Sequence, residues 1–362
     1  MPIFITTRPT ELTKSSDYLP ALTGIRAVAA YLVFLHHYQS ATPGTFANRL
    51  FNQGYIGVSI FFVLSGFLIY HRYPDASLTH SNRWWRFLQN RFARIVPLYT
   101  ILLLLTIGLK ALAGRPTSVP LSVLNVTLLK GFFDTYKFSG IPQSWSLTVE
   151  VCFYLVAPLL FVSVRRYGPV WPTIVLISLG VLLWATVGQA SPPGFFGTLP
   201  FVFFYTFFGR SFEFLMGMWL AQRWQQKRLP ALRFATVRGL LTIIVCVLWQ
   251  ANVSLVTASQ TLLLCSEVMA YNILLPVGIA MLFLGLLREP TLVQKGLGTR
   301  LMQLAGRTSY AFYLVHLGVI ADALQKLGVR NIGYLFGLFL LIAQVLYFTI
   351  EKPFHQRFRA VA

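Results

Sequence analysis

The stretch GIRAVAAYLVFLHHY, residues 24–38, is almost wholly apolar, yet it carries an arginine near one end and two histidines at the other. Arg26 and His37 are eleven positions apart. A charge at the centre of a membrane helix costs roughly 2.5–3.5 kcal/mol on insertion scales, so it is kept where it has a partner or a task. The stretch therefore predicts a membrane helix with functional polar groups near both ends.

The composition of the whole chain points to the same environment. Of 362 residues, 56% are hydrophobic and 11% are charged, and the mean hydropathy is +0.65. A soluble domain has about 25% charged residues, so we predict an all-α protein that crosses a membrane many times. The three cysteines lie singly in apolar runs, without disulfide or zinc spacing, and are interpreted as packing residues. We predict no metal site.

About ten runs are long and apolar enough to be transmembrane helices, each of which needs about 20 residues. They are 20–38, 54–71, 95–113, 146–164, 172–188, 198–221, 238–254, 262–287, 306–324 and 332–350. Residues 1–17 are polar and lack the apolar core of a signal peptide. We therefore predict a short cytoplasmic arm at 1–17, a transmembrane domain at 18–355 and a cytoplasmic tail at 356–362.

The basic residues orient these spans. The net charge is +20, and the lysines and arginines lie mostly between the apolar runs. With ten spans, the loops on one side and the two chain ends hold 21 of them, and the other side holds seven. Short loops rich in Lys and Arg face the cytoplasm, so both termini are predicted to be cytoplasmic. The chain has no nucleic-acid-binding motif, and we expect no nucleic-acid partner.

This topology brings two ionisable groups to a similar depth. At 1.5 Å per residue, His37 lies about 27 Å into span 1, and Glu150 lies about 8 Å below the outer surface in span 4. A site in the outer half of the membrane is predicted, in which Glu150 would orient His37. The alternative is that a histidine only caps span 1 at the interface, a role that suits His36 better.

A second constellation is Arg210 with Glu213, which are three residues apart and are predicted to pair on one helix face. Such a buried pair serves helix packing as readily as function. His316 is a further polar candidate, and Glu267 and Asp322 have no predicted partner.

The segment NRWWRFLQNRFARIVPLY, residues 82–99, is predicted to be a basic inner loop leading into span 3. Arg91 and Arg94 either anchor the loop at the membrane surface or bind a phosphorylated donor, because arginine binds phosphate oxygens in a bidentate manner. In span 2, Gly57, Ser59 and Gly66 are expected to allow close helix packing.

Taken together, these segments resemble the acyltransferase-3 family of integral-membrane acyltransferases. The resemblance covers roughly residues 18–355, and Asn90 stands where many members have a basic residue. The matching segments, in order, are LTGIRAVAAYLVFLHH, GYIGVSIFFVLSGFLI, RFARIVPLY, QSWSLTVEVCFYLVAPLL, RSFEFLMG and SYAFYLVH. Several ordered motifs are more specific than any one of them.

The resemblance implies transfer of an acetyl or short acyl group from cytoplasmic acyl-CoA to a hydroxyl of a saccharide at the outer side. It implies acetyl-CoA as co-substrate, no permanently bound cofactor, membrane lipid as a partner, and a bacterial inner membrane. Typical acceptors are lipopolysaccharide O-antigen, exopolysaccharide and lipid-linked saccharide. The chain is expected to be a stand-alone member without the esterase-like SGNH domain that some members carry.

The residues that match the motifs receive expected roles. His37 would be the general base and Glu150 its partner, while Arg26, Arg91 and Arg94 would bind the donor. The supporting or acceptor-side residues would be Ser65, Trp145, Ser146, Tyr154, Arg210, Glu213 and His316. Trp145 would either stack on a sugar or belong to the aromatic belt of the membrane interface.

Three alternatives remain open at this stage. An acyl-histidine intermediate would use the same residues as direct transfer. The acceptor could be a small molecule or a peptide. A transporter or flippase of lipid-linked saccharide would also carry intramembrane Arg, Glu and His, although the chain lacks the internal repeats common in transporters.

Overall fold

The computed structural model describes residues 18–73, 81–190 and 194–358, and within these ranges the fold is all-α. Turns of 3₁₀ and π helix connect some of the helices. The α-helices are α1 Pro20–Tyr38, α2 Phe46–Phe51, α3 Ile56–Arg72, α4 Ser81–Leu112, α5 Val119–Val126, α6 Trp145–Tyr167, α7 Val170–Leu183, α8 Leu199–Tyr205, α9 Ser211–Gln225, α10 Ala235–Val256, α11 Gln260–Glu267, α12 Leu275–Arg288, α13 Leu292–Leu297, α14 Arg300–Val315, α15 Val319–Lys326, α16 Ile332–Leu346 and α17 Lys352–Phe358.

Seven continuous helices in the described ranges are long and apolar enough to cross a membrane, which confirms a multi-pass membrane protein. They are Phe46–Arg72, Arg83–Leu112, Pro142–Tyr167, Val170–Gly188, Ala235–Val256, Gln260–Arg288 and Ile332–Phe358. Each corresponds to one of the ten predicted spans. The other three predicted spans are those that carry Arg26, Arg210 and His316.

The first of these three spans, α1, is an unbroken helix with the predicted bounds. Small residues bring its neighbours into backbone contact. A Cβ atom added to Gly306 of α14 would lie 1.9 Å from the carbonyl oxygen of Thr23, and one added to Gly57 of α3 would lie 2.1 Å from that of Ala29. The predicted packing role of the small residues in span 2 is therefore confirmed at Gly57.

The prediction of one continuous helix at 198–221 was wrong. Residues 206–210 separate α8 from α9. In this break Gly209 lies so close to the preceding turn that an added Cβ would lie 2.3 Å from the Phe203 oxygen. The Asn272 side-chain amide donates hydrogen bonds of 2.9 Å to the carbonyl oxygens of Phe203 and Gly209. These bonds replace the helical bonds that the break removes, as a membrane interior requires.

The span predicted at 306–324 is also interrupted. Helix α14 begins earlier than predicted and ends at Val315, and α15 begins only at Val319. Between them Gly318 has a φ of +87°, which belongs to the left-handed region that favours glycine. His316 therefore lies at the end of a helix and not in the middle of one.

The predicted inner loop at 82–99 was wrong as a loop. Helix α4 is 32 residues long and includes the arginine-rich segment, so that segment continues directly into the span. At 1.5 Å per residue, the helix is about 48 Å long and projects well beyond a hydrocarbon core of about 30 Å. The arginines thereby acquire fixed positions on a rigid helix.

The connection between α4 and α6 folds against the bundle. Lys130 is fully buried there and donates hydrogen bonds to the carbonyl oxygens of Ser139 and Ile141. Burial lowers the pKa of Lys130 to about 7. The hydroxyl of Thr148 on α6 donates to the Leu128 oxygen, which ties the connection to α6. This connection supplies Phe138 and Gln143 to a cavity described below.

The break between α8 and α9 yields a stability prediction. Replacing Asn272 with leucine leaves two buried carbonyl oxygens without donors, and we expect the variant to lose about 2–4 kcal/mol of unfolding free energy. The measurement is an SDS titration of the purified protein. Asn52→Leu is the matched control, because Asn52 is exposed and should tolerate the same change. Equal stability of the two variants would contradict the role assigned to Asn272.

Candidate active site

Two cavities lie along α1, one near each of its polar ends. The first, here the arginine cavity, encloses about 740 Å³ including its open mouth. The lining residues with polar side chains are Arg26, Ser65, Arg91, Arg94, Ser146, Glu150, Tyr154, Tyr310 and Tyr313. Seven of the sequence-predicted site residues thus come together in one place.

Each arginine of this cavity is held differently. The Nε of Arg26 donates to the Gly306 carbonyl oxygen and to the Ser309 hydroxyl, both at 3.2 Å. The Nε of Arg94 lies 4.0 Å from Oε1 of Glu351.

Arg91 lies among aromatic rings instead. Its guanidinium carbon is 5.6 Å from the centroid of Phe87 and 5.8 Å from those of Tyr73 and Tyr154. Its Nε is buried and has no hydrogen-bond partner in the part of the chain that the structure describes. Three guanidinium groups and one carboxylate line the cavity, so it carries a net positive charge that suits an anion.

The carboxylate is that of Glu150, and the predicted pairing of Glu150 with His37 was wrong. Oε1 of Glu150 accepts a hydrogen bond of 2.9 Å from Ser65 and a second one from Tyr154. The helical run of α6 starts at Pro142, which places Glu150 about 12 Å along it. His37 is the last residue but one of α1 and lines a different cavity.

The second cavity, here the histidine cavity, encloses about 1230 Å³ including its open part. It is lined by Val33, His36, His37, Tyr55, Val58, Phe138, Pro142, Gln143, Trp145, Phe204, Tyr205, Arg210, Glu267, Tyr313 and Leu317. His37 is exposed in it, and His36 is half-buried with its ring 4.6 Å from that of His37. His37 is therefore the histidine that a ligand in this cavity can reach most readily.

His316 lies behind this surface. Its ring is fully buried and 5.5 Å from that of His37, and neither ring nitrogen has a hydrogen-bond partner among the residues described. It supports the His37 ring by contact and does not line the cavity.

Arg210 reaches the histidine cavity because α9 begins beside it. Its Nε lies 2.9 Å from Oε2 of Glu213, as predicted, and its Nη2 donates to the Ser59 hydroxyl at 3.1 Å. Its guanidinium also lies 5.3 Å from the ring centroid of Phe62. The charge of Arg210 is thus compensated within the protein.

The two cavities adjoin at Tyr313, which lines both. The Tyr313 hydroxyl lies 3.0 Å from that of Ser146 and donates to the Gln143 carbonyl oxygen at 3.1 Å. The Gln143 amide in turn donates at 2.8 Å to the carbonyl oxygens of Tyr313 and Leu314. A single aromatic side chain therefore forms much of the wall between the arginine and histidine cavities.

Sequence reasoning missed Tyr313 and Gln143 as site residues. Tyr313 belongs to the quoted segment SYAFYLVH, in which only the histidine was singled out, and Gln143 directly precedes the segment SWSLTVE. Two tyrosines three residues apart on a polar membrane helix, Tyr310 and Tyr313, are the signal that was available.

A family model described as an acyltransferase domain matches residues 19–350. The chain belongs to the acyltransferase-3 family. The match includes every helix that lines the two cavities, so the arginine and histidine cavities lie within the acyltransferase-3 domain.

Curated relatives agree with this family. The peptidoglycan O-acetyltransferase OatA of Listeria monocytogenes is 28% identical over 66% of this chain and 40% of its own length. The acyltransferase MdmB of Streptomyces mycarofaciens is 28% identical over 87% of this chain and 82% of its own length. A putative O-acetyltransferase of Staphylococcus aureus is 25% identical over 47% of this chain and 30% of its own length.

The chain therefore spans less than half the length of the Listeria and Staphylococcus relatives. No solved structure matches it. In this acyltransferase-3 protein, the sequence motifs sort into two groups. Arg26, Arg91, Arg94 and Glu150 line one cavity, and His37, Trp145 and Arg210 line the other.

Proposed function

We propose that this protein is a membrane O-acyltransferase that moves an acetyl or short acyl group from cytoplasmic acyl-CoA to a saccharide hydroxyl at the outer side. The observation that carries the proposal is the pair of adjoining cavities, one with three arginines and one with an accessible histidine. Arg26 and His37 are about 16 Å apart along α1. Donor and acceptor would enter from opposite sides and meet near Tyr313.

The orientation follows from the charge asymmetry of the loops, with the arginine cavity on the cytoplasmic side of a bacterial inner membrane. Two contacts support an even number of crossings. The Tyr18 hydroxyl donates to Gln303 near the start of α14, and the Gln89 amide near the start of α4 donates to the Phe358 carbonyl oxygen. Both ends of the described chain thus lie toward the arginine cavity. The seven long helices, α1, the α8–α9 pair and the α14–α15 pair make ten crossings.

The donor would bind in the arginine cavity. The phosphates of coenzyme A are anions of the kind that planar guanidinium groups bind in a bidentate manner. Arg91 has a buried Nε that is free to donate, and the ion pair of Arg94 with Glu351 is long at 4.0 Å. The acyl-CoA would be a transient co-substrate whose thioester extends from these arginines toward Tyr313.

The acceptor would bind in the histidine cavity, with His37 as general base. An imidazole suits proton transfer near neutral pH. His37 would take the proton of the acceptor hydroxyl while the oxygen attacks the thioester carbonyl carbon. The carbon–sulfur bond then breaks, and the thiolate of coenzyme A takes up the proton. Glu150, with Ser65 and Tyr154, would shape the donor side and not orient His37.

Family membership supports an enzyme over a transporter, and two relatives are named O-acetyltransferases, one of them for peptidoglycan. Peptidoglycan contains saccharide hydroxyls that an O-acetyltransferase can modify, and this supports a saccharide acceptor here. Trp145 and Tyr205 in the cavity wall, 4.8 Å apart, offer aromatic surface to a sugar ring.

The first functional prediction concerns the histidine pair. His37→Ala removes the proposed base, and we expect acyl transfer from radiolabelled acetyl-CoA to isolated cell-envelope glycans to fall by about 10²–10⁴-fold. His36→Ala is the matched control and should retain most of the activity. Full activity of the His37→Ala protein, or equal loss in both variants, would contradict the role of His37.

A second prediction concerns the donor side. Arg91→Ala removes a guanidinium from the arginine cavity, and we expect the KM for acyl-CoA to rise about 10–100-fold, as for a lost charged hydrogen bond. The KM for the acceptor should change little. Arg86→Ala is the control, because Arg86 lies on the same helix with an exposed side chain. An unchanged KM for acyl-CoA in Arg91→Ala would contradict the proposal that the donor binds in this cavity.

A further inference from the structure

We infer that the histidine cavity binds one sugar ring of the acceptor that carries no negative charge and that Glu267 selects this ring by accepting hydrogen bonds from its hydroxyls. The inference rests on the function proposed above and deepens it. It assigns a ligand class to the cavity and a role to a carboxylate that the sequence left without a partner.

Glu267 lies where the long helix Gln260–Arg288 changes its winding. It is the last residue of α11, and the π-helical turns Val268–Leu274 follow directly. π-helical turns inside α-helices are frequent at functional sites. These turns also carry Asn272, whose side-chain amide donates hydrogen bonds to the carbonyl oxygens of Phe203 and Gly209 at the break between α8 and α9. Because Gly209 directly precedes Arg210, the position of Glu267 is coupled to that of Arg210.

The Glu267 carboxylate interacts electrostatically with the hydroxyls of Tyr55, Tyr205 and Tyr271. It lines the cavity and makes neither a hydrogen bond nor an ion pair with any residue that the structure describes. Arg210, the cation in the same wall, is already paired with Glu213. An ionisable group in a membrane helix without a hydrogen bond or ion pair to the protein is expected to serve a ligand.

The free charge limits what the cavity can bind. An unpaired carboxylate accepts hydrogen bonds and repels anions, so sugar hydroxyls are suitable partners and a uronate is not. Arg210 attracts an anionic ligand only weakly, because Glu213 at 2.9 Å already compensates its charge. The electrostatics therefore favour a neutral ring over an anionic one.

The remainder of the wall is largely aromatic. Trp145 and Tyr205 meet at 67° with centroids 4.8 Å apart, and Phe138 lies 5.6 Å from Tyr205. Tyr55 completes the aromatic surface. Apolar walls with a few polar groups are typical of small-molecule sites. The C–H faces of a sugar fit the rings while its hydroxyls reach Glu267 on one side and His37 on the other.

The test is ligand binding without catalysis. Full-length protein in lipid nanodiscs is titrated with methyl β-glucoside, methyl β-glucuronide and methyl β-glucosaminide, and binding is followed by saturation-transfer difference NMR against empty nanodiscs. Wild-type protein should bind the glucoside saturably and the glucuronide at least about tenfold more weakly, the size of effect of one charged contact. Glu267→Gln should weaken glucoside binding about tenfold and bring the two affinities within about threefold of each other.

Asp322→Asn is the matched control, since Asp322 is acidic and exposed but does not line the cavity. It should leave all three affinities unchanged. The inference is overturned if wild-type protein binds no glucoside saturably, if Glu267→Gln leaves the glucoside-to-glucuronide ratio unchanged, or if Glu267→Gln leaves the binding of the cationic glucosaminide unchanged. Because no acyl transfer is measured, such a result alongside His37-dependent transfer would remove the role of Glu267 and leave the proposed function standing.

Discussion

A polar group inside a membrane protein must find its partner within the protein, because hydrocarbon offers none. This constraint decides which helices here are interrupted and where. The break between α8 and α9 exists because Asn272 bonds the carbonyl oxygens of Phe203 and Gly209. The same break starts α9 at Ser211, which brings Arg210 to a cavity wall while Glu213 and Ser59 compensate its charge.

Helices α1, α9 and α14, which carry Arg26, Glu213 and Tyr313, are largely buried. Helices α1 and α14 approach to backbone contact at Gly306, and α3 and α9 do so at Gly66 and Gly217. Close packing of this kind leaves room for two cavities whose shared wall is mainly Tyr313. The proposed reaction across the membrane would use such an arrangement, since it would keep the aqueous compartments apart while an acyl group passes between them.

Much of the fold could be predicted from the sequence, because apolar run length reports directly on membrane crossing. The bounds of α1 and the pairing of Arg210 with Glu213 were predicted correctly. The break at 206–210 was not predictable from hydrophobicity, because the run PFVFFYTFFG is apolar throughout and the reason for the break, Asn272, lies about 60 residues further along the chain.

The sequence predicted most residues of the candidate site but not which of them lie together. Glu150 and His37 were assigned a shared depth from span boundaries, yet the 3₁₀ turn Pro142–Ser144 extends the helical run ahead of α6, so that Glu150 lies deeper than predicted. Helix register fixes depth only when the first residue of each helix is known. Which side chains meet across helices, as Glu150 meets Ser65, depends on packing between segments 85 residues apart.

In the proposed mechanism, donor and acceptor meet from opposite sides of the membrane, through the cavities on either side of Tyr313. Sealed proteoliposomes with uniformly oriented protein test it directly, with radiolabelled acetyl-CoA confined to the compartment facing Arg91 and an isolated cell-envelope glycan fraction confined to the other. We predict labelled glycan in this arrangement and none when the two substrates are exchanged between compartments. Labelling only when both substrates share one compartment would contradict it.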